Sequence, residues 1–250
     1  MKKAKRKRPA ASRGEKFARW TYLFVLISFM IPIVFLVLHI ILYGTNSFEN
    51  TARPPAAYVL MLLQCLLGVF VIHIPTLLER KFRFELPAAL YVMYIVFLYC
   101  AIFLGEVRNY YYIVPHWDTI LHGFSAAMSG AFGFMLVSLL NRNEHTPITL
   151  SPFFVALFSF CFAIMIGTVW EIYEYFADGL MGLNMQHTHT EEGVLLQGRD
   201  AVFDTMKDII VDVCGALLVS TIGYFSLRKG KGWISEFFEK LDQKEETADA

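Results

Sequence analysis

Residues 116 to 130 read HWDTILHGFSAAMSG, with Asp118 and His122 four apart. On an α-helix that spacing puts both on one face. A carboxylate that orients an imidazole is the arrangement used for proton transfer or metal ligation, while a neutral His122 donating to a nearby carbonyl is the plainer alternative. Two further stretches carry acids in the same way. In GTVWEIYEYFADG the residues Gly167, Glu171, Glu174 and Asp178 share a helical face, and in RDAVFDTMKDIIVDVCGA the residues Asp204, Asp208 and Asp212 recur every four positions ahead of Gly215. The catalytic candidates are therefore Asp118, His122, Glu171, Glu174, Asp204, Asp208 and Asp212. Carboxylates with one histidine suit a divalent metal cation, with one acid kept as general base, and His122, Glu171, Asp208 and Asp212 are the ligand candidates. Acids that share protons are the other chemistry such a set supports.

Each residue also has a plain reading. Asp118 and Asp204 stand near expected helix starts, where a carboxylate caps free N–H groups. Glu171, Glu174 and Asp178 approach a helix end, where the dipole disfavours anions, so capping does not account for them. Glu174 and Asp178 can simply meet water there. Asp212 lies among Ile209, Ile210, Val211 and Val213, too deep to cap anything. His187 and His189 in QHTHTEEG are two apart and suit a shared metal, or else belong to a solvated polar loop. His39 and His73 lack acidic neighbours in sequence and read as packing or local hydrogen-bonding residues. Trp117, Trp170, Tyr110, Tyr111 and Tyr112 read as interfacial aromatics.

The elements that must position these groups are membrane helices. The chain of 250 residues is 56% hydrophobic and 18% charged, with a mean hydropathy of +0.48, outside the balance of an ordinary soluble domain. About 20 apolar residues span a bilayer, and six stretches qualify: 20–43, 57–78, 86–105, 117–140, 152–176 and 207–227. The expected fold is all-α, a polytopic six-helix bundle over 20–227, flanked by a disordered basic tail at 1–19 and a second tail at 228–250. Within the latter, WISEFFEKL is amphipathic and fits a short helix on the membrane surface. Pro32 predicts a kink in the first span.

Of the 22 Lys and Arg, all but Arg53, Arg108, Arg199 and Lys207 fall on one side of this arrangement. By the preference of cytoplasmic loops for positive charge, both termini are expected in the cytoplasm and the three acidic stripes in the outer half of the bundle. The basic run directly before a membrane helix is explained by topology and anionic lipid, so nucleic acid is not an expected partner and membrane lipid is. Cys65, Cys100, Cys161 and Cys214 are scattered in apolar runs, without metal-type spacing or a disulfide framework.

The ordered set HWDTILH, WEIYEYFADG and QGRDAVFDTMKDIIVDVCGA resembles the YjdF-like family of bacterial integral membrane proteins from about residue 58 to 226. Asp118, His122, Trp170, Glu171, Glu174, Asp204, Thr205, Asp208, Gly215 and Ala216 fall on the recognisable positions. A fainter similarity is to VanZ-like membrane proteins, with acids and a histidine on successive helices. The resemblance implies a bacterial plasma-membrane protein of unestablished activity.

Three functions compete: a metal-assisted enzyme on a lipid-linked or envelope substrate, a cation- or proton-coupled transporter of a small ion, and a non-catalytic sensor or assembly factor. An unpaired intramembrane charge costs at least a few kcal/mol, so each must explain what compensates the acids.

Overall fold

The computed structural model describes residues 13–44, 55–82, 86, 88–141, 150–190 and 193–230. The described residues are helical, apart from loops and one isolated antiparallel bridge between His189 and Leu195. Six helical stretches are long and apolar enough to cross a membrane: Lys16–Tyr43, Pro55–Lys81, Leu90–Val107, Trp117–Val137, Pro152–Met181 and Asp200–Lys229. Their outward surface is apolar, with Phe24, Ile31, Leu217 and Leu218 among many exposed side chains, a belt suited to lipid rather than water. The expected polytopic all-α fold is the observed one. The basic run before residue 13 and WISEFFEKL lie outside the described residues.

The first span, α1 (Arg13–Tyr43), starts within the segment read as a tail and continues as one helix through Pro32. The second is divided into α2 (Pro55–Val71) and α3 (Ile74–Phe82). Chemistry explains the division. Pro75 has no N–H, which deprives the Val71 carbonyl of its helical donor. The His73 N–H turns to Phe70 O, which does the same to Val69. Inside a membrane each orphaned carbonyl needs a partner from the protein. The Tyr94 hydroxyl donates to Val71 O at 2.7 Å, and His73 Nδ1 donates to Val69 O at 2.8 Å. With its proton on Nδ1, His73 accepts from Tyr22 through Nε2 at 3.1 Å. His73 is thus a local hydrogen-bonding residue that mends a helix break.

The third span is α4 (Ala88–Leu98) continued by a π-helical stretch, Tyr99–Val107, wider than an α-helix. A short turn, α5 (Tyr110–Ile113), leads into α6 (Trp117–Asn141). The helix α7 (Pro152–Met181) starts with the Ser151 hydroxyl accepting from Phe154 N and with Pro152 in the first turn, and it stops at Gly182, whose φ of 63° suits glycine. After a loop and a 3₁₀ turn, α8 (Phe203–Lys229) crosses last.

Two groups of helices result. The first three spans share a core of Val25, Phe29, Ile72, Ile95 and Leu98, extended by Ile33, Leu36, Met61 and Cys65. The helices α6, α7 and α8 pack on one another through small residues. At Gly133 a Cβ would press on the Ser159 backbone at 2.8 Å, and at Gly215 on the Gly123 carbonyl at 3.0 Å, so both glycines permit close approach. Phe97 of α4 stacks on Phe124 of α6 and joins the two groups.

Candidate functional site

All three acidic stripes turn into the α6–α7–α8 group, at the end where α6 and α8 begin and α7 finishes. His122, Glu171, Glu174, Asp208 and Asp212 are between 1% and 5% exposed. The imidazole of His122 stands at the centre. Its Nδ1 donates to Asp212 Oδ2 at 3.2 Å, and its Nε2 faces Glu171 Oε1 at 3.6 Å and Asp118 Oδ1 at 3.8 Å. One helix contributes the histidine and one acid, and each neighbouring helix brings another acid. Gly167 makes room for this: a Cβ there would overlap the Asp212 carboxylate. That glycine lies one turn before Glu171, so α7 supplies an acid at one level and a gap for its neighbour's acid at the next.

Asp118, His122 and Asp208 each offer a ligand atom within 4.8 Å of the other two. This trio differs from the expected ligand set in including Asp118. Glu171 adjoins it through His122 Nε2, whereas Asp212 occupies the opposite ring nitrogen. Among the described residues, both Glu171 side-chain oxygens and Asp208 Oδ1 are buried without a hydrogen-bond donor. Buried carboxylate oxygens without donors are costly unless they are protonated or meet a cation. Glu174 differs, because Trp170 Nε1 donates to its Oε1 at 2.9 Å. Trp170 is thereby a partner of the acid as well as an aromatic at the helix edge.

At the mouth, Lys207 Nζ lies 2.5 Å from Asp204 and 3.7 Å from Asp208. Arg199, the other cation in this part of the sequence, is exposed. The loop after α7 completes the rim. Asp178 accepts from the backbone N–H groups of Met185 and Gln186 at 2.7 and 3.0 Å and so folds the loop back over the helix end. Gln186 then donates to Thr205 Oγ1 at 3.0 Å and reaches the Glu171 carbonyl at 3.5 Å. His187 Nδ1 donates to Asp204 Oδ2 at 2.7 Å. That hydrogen bond raises the His187 pKa above its ordinary value, and loss of solvent opposes it less strongly.

His187 and His189 do not converge as a metal pair. His189 Nδ1 is held by Thr188 Oγ1 and Asn184 Oδ1 at 3.0 and 3.3 Å, while His187 turns to Asp204. Reading QHTHTEEG as a solvated loop thus missed His187 and Gln186. A usable signal existed, since this short loop joins the two helix ends that carry acids. Tyr111 was missed as well. Its ring lies against Gly105, and its pKa is held well above the usual phenol value, first by loss of solvent and then by the carboxylates of Asp118, Glu106 and Glu174. Its ring packs into the protein at Gly105 rather than serving only as an interfacial aromatic.

The geometry defines a class: a polytopic helical membrane protein whose last three spans enclose an acid–histidine cluster. Within that class, the chain belongs to the family described as predicted membrane protein DUF2238, which matches residues 26–229. It is also 24% identical over 152 residues to an uncharacterised protein of Thermotoga maritima, an alignment covering 60% of this chain and 69% of that one. No solved structure matches the chain.

Proposed function

We propose that the protein is a metal-assisted membrane enzyme acting on a lipid-linked or envelope substrate at the outer face of a bacterial plasma membrane. The donorless buried oxygens of Glu171 and Asp208 beside His122 carry this reading. In it, Asp118, Asp208 and His122 would hold a divalent cation, which when bound would supply Lewis acidity toward an ester or phosphoryl oxygen. Asp212 fixes the histidine tautomer through Nδ1, the support a carboxylate commonly gives a ligating imidazole. Glu171, close to the cluster through His122, would accept a proton from water. The placement of basic residues supports cytoplasmic termini and an outward-facing site. Eight of the positions on which the chain resembles YjdF-like proteins, Asp118, His122, Trp170, Glu171, Glu174, Asp204, Thr205 and Asp208, are side chains of this cluster or its rim.

Cation- or proton-coupled transport is the second reading, favoured by the burial of acids inside membrane spans. Beyond the cluster, however, the interior of the same three helices is filled by Ala126, Ala163, Ala216 and Phe134, whose ring covers Gly223. That packing supports a closed site better than a path.

The test is metal content of the purified protein after chelation and reloading. Wild type is expected to retain one divalent ion, and Asp208→Asn and Asp118→Asn to lose most of it. Absence of stoichiometric metal from wild type overturns the enzyme reading. Ion flux in liposomes that disappears in Asp212→Asn would then support transport, and variants that alter only thermal stability would leave a structural or sensing role.

A further inference from the structure

Between the two groups of helices lies a crevice of about 260 Å³. Ile74 and Leu78 of α3, Tyr94 of α4, Met128 and Phe132 of α6 and Phe162 of α7 form most of its wall. These side chains are half-buried, which makes the feature a concavity between helices rather than part of the outer belt. Its polar groups are few. The Tyr94 hydroxyl proton is already committed to Val71 O at the break between α2 and α3. A cavity that retains water needs two to four polar partners, and this wall does not supply them. The crevice is built from membrane-spanning segments, where the surrounding fluid is hydrocarbon.

Its position links it to the acid cluster. Ser129 also lines the crevice and lies two helical turns from His122 on the same face of α6. On α7, the crevice residue Ile166 lies five positions before Glu171, about 8 Å along the axis at 1.5 Å per residue. The same two helices thus carry an apolar crevice at one level and the acid–histidine cluster at the next.

We propose that the crevice holds one hydrocarbon chain of a membrane lipid, with the lipid headgroup at the Asp118–His122–Asp208 cluster. The chain site stands on its own geometry. The further step, that this lipid is the substrate, rests on the proposed enzyme and narrows its substrate from envelope components in general to a lipid-linked molecule.

The experiment uses the full chain in liposomes containing phosphatidylglycerol with a diazirine midway along one acyl chain. After photolysis, adducts are expected on peptides bearing Met128–Phe132 and Phe162, saturating as the mole fraction of probe rises. Labelling at the exposed Leu217 and Leu218 should rise linearly instead. Ser129→Trp fills the crevice and is expected to lower its adducts about tenfold while metal content stays at the wild-type level. Should that variant fail to fold, saturation in wild type still decides the matter. Crevice labelling that is absent, or that rises linearly like the controls, overturns the chain site. Saturable crevice labelling in a protein without metal preserves the chain site and removes the enzyme reading. Asp208→Asn, which disrupts the headgroup end of the site, should lose metal and shift saturation of the crevice adducts to a higher mole fraction of probe; an unshifted curve overturns the placement of the headgroup at the cluster.

Discussion

At the scale of single residues, the cluster is organised by how His122 divides its two nitrogens. Nδ1 is committed to Asp212, so Nε2 is left facing Asp118 and Glu171. Asp212→Asn can keep a hydrogen bond but loses the charge that strengthens it, and loss of such a support typically weakens metal affinity about 10–100-fold. Titration of the chelated protein with zinc should show that loss, with Asp118→Asn weaker still as a removed ligand. His187 gives a pH dependence. Its folded pKa is raised above the unfolded value of about 6.5, so its contact with Asp204 is fully present below that value and is lost as pH rises through the folded pKa. Asp118 reinforces the proton on His187 and Lys207 opposes it. Hydrogen exchange in the loop after α7 should therefore increase more steeply above pH 6.5 in wild type than in His187→Gln, measured at each pH against that variant. A slope identical in both would remove the latch. The acids and His122 were legible because a period of 3.6 fixes a face from sequence alone. His187 was not, because its partner is set by how Asp178 folds the loop.

At the scale of elements, the second span shows how a membrane helix tolerates a break. Tyr94→Phe should leave the Val71 carbonyl without a donor, at about 1–3 kcal/mol for a buried group. Pro75→Ala restores the backbone N–H, so adding it to Tyr94→Phe should recover most of the loss. Thermal unfolding of the four proteins in detergent forms a double-mutant cycle, and additive effects would show that the hydroxyl is not substituting for the missing N–H. Gly167 makes the same point for packing. Gly167→Ala drives a methyl into the Asp212 carboxylate and should cost about 1–3 kcal/mol as overpacking, with weaker zinc binding as a second effect. The six spans were readable because about 20 apolar residues have few alternatives. The interruption after Val71 had a signal in Pro75, whereas the Tyr94 hydroxyl that mends it and the π-helical stretch Tyr99–Val107 did not, because both depend on partners from other helices to satisfy or accommodate the backbone.

At the scale of the whole molecule, the arrangement has a direction that charge placement predicts. The acid–histidine cluster, the His187 loop and the start of α8 lie at one end of the bundle, and Arg80, Lys81, Arg228 and Lys229 lie in the last turns of helices that finish at the other. If basic segments remain in the cytoplasm, the loop after α7 faces outward. Thr190→Cys should then react with a membrane-impermeant maleimide in intact cells, and Ala4→Cys only after the membrane is opened. Native Cys65 is buried, Cys100 is half-buried within the third span, and Cys161 and Cys214 lie on spans among lipid-facing residues, so the unsubstituted chain provides the background reading. Reversed labelling would put the cluster at the cytoplasmic face, where an envelope substrate has no access and a lipid or ion from the inner leaflet would have to replace it. The same labelling, repeated with zinc bound, asks whether the loop closes over the site: protection of Thr190→Cys by metal would tie the His187 rim to occupancy of the cluster beneath it.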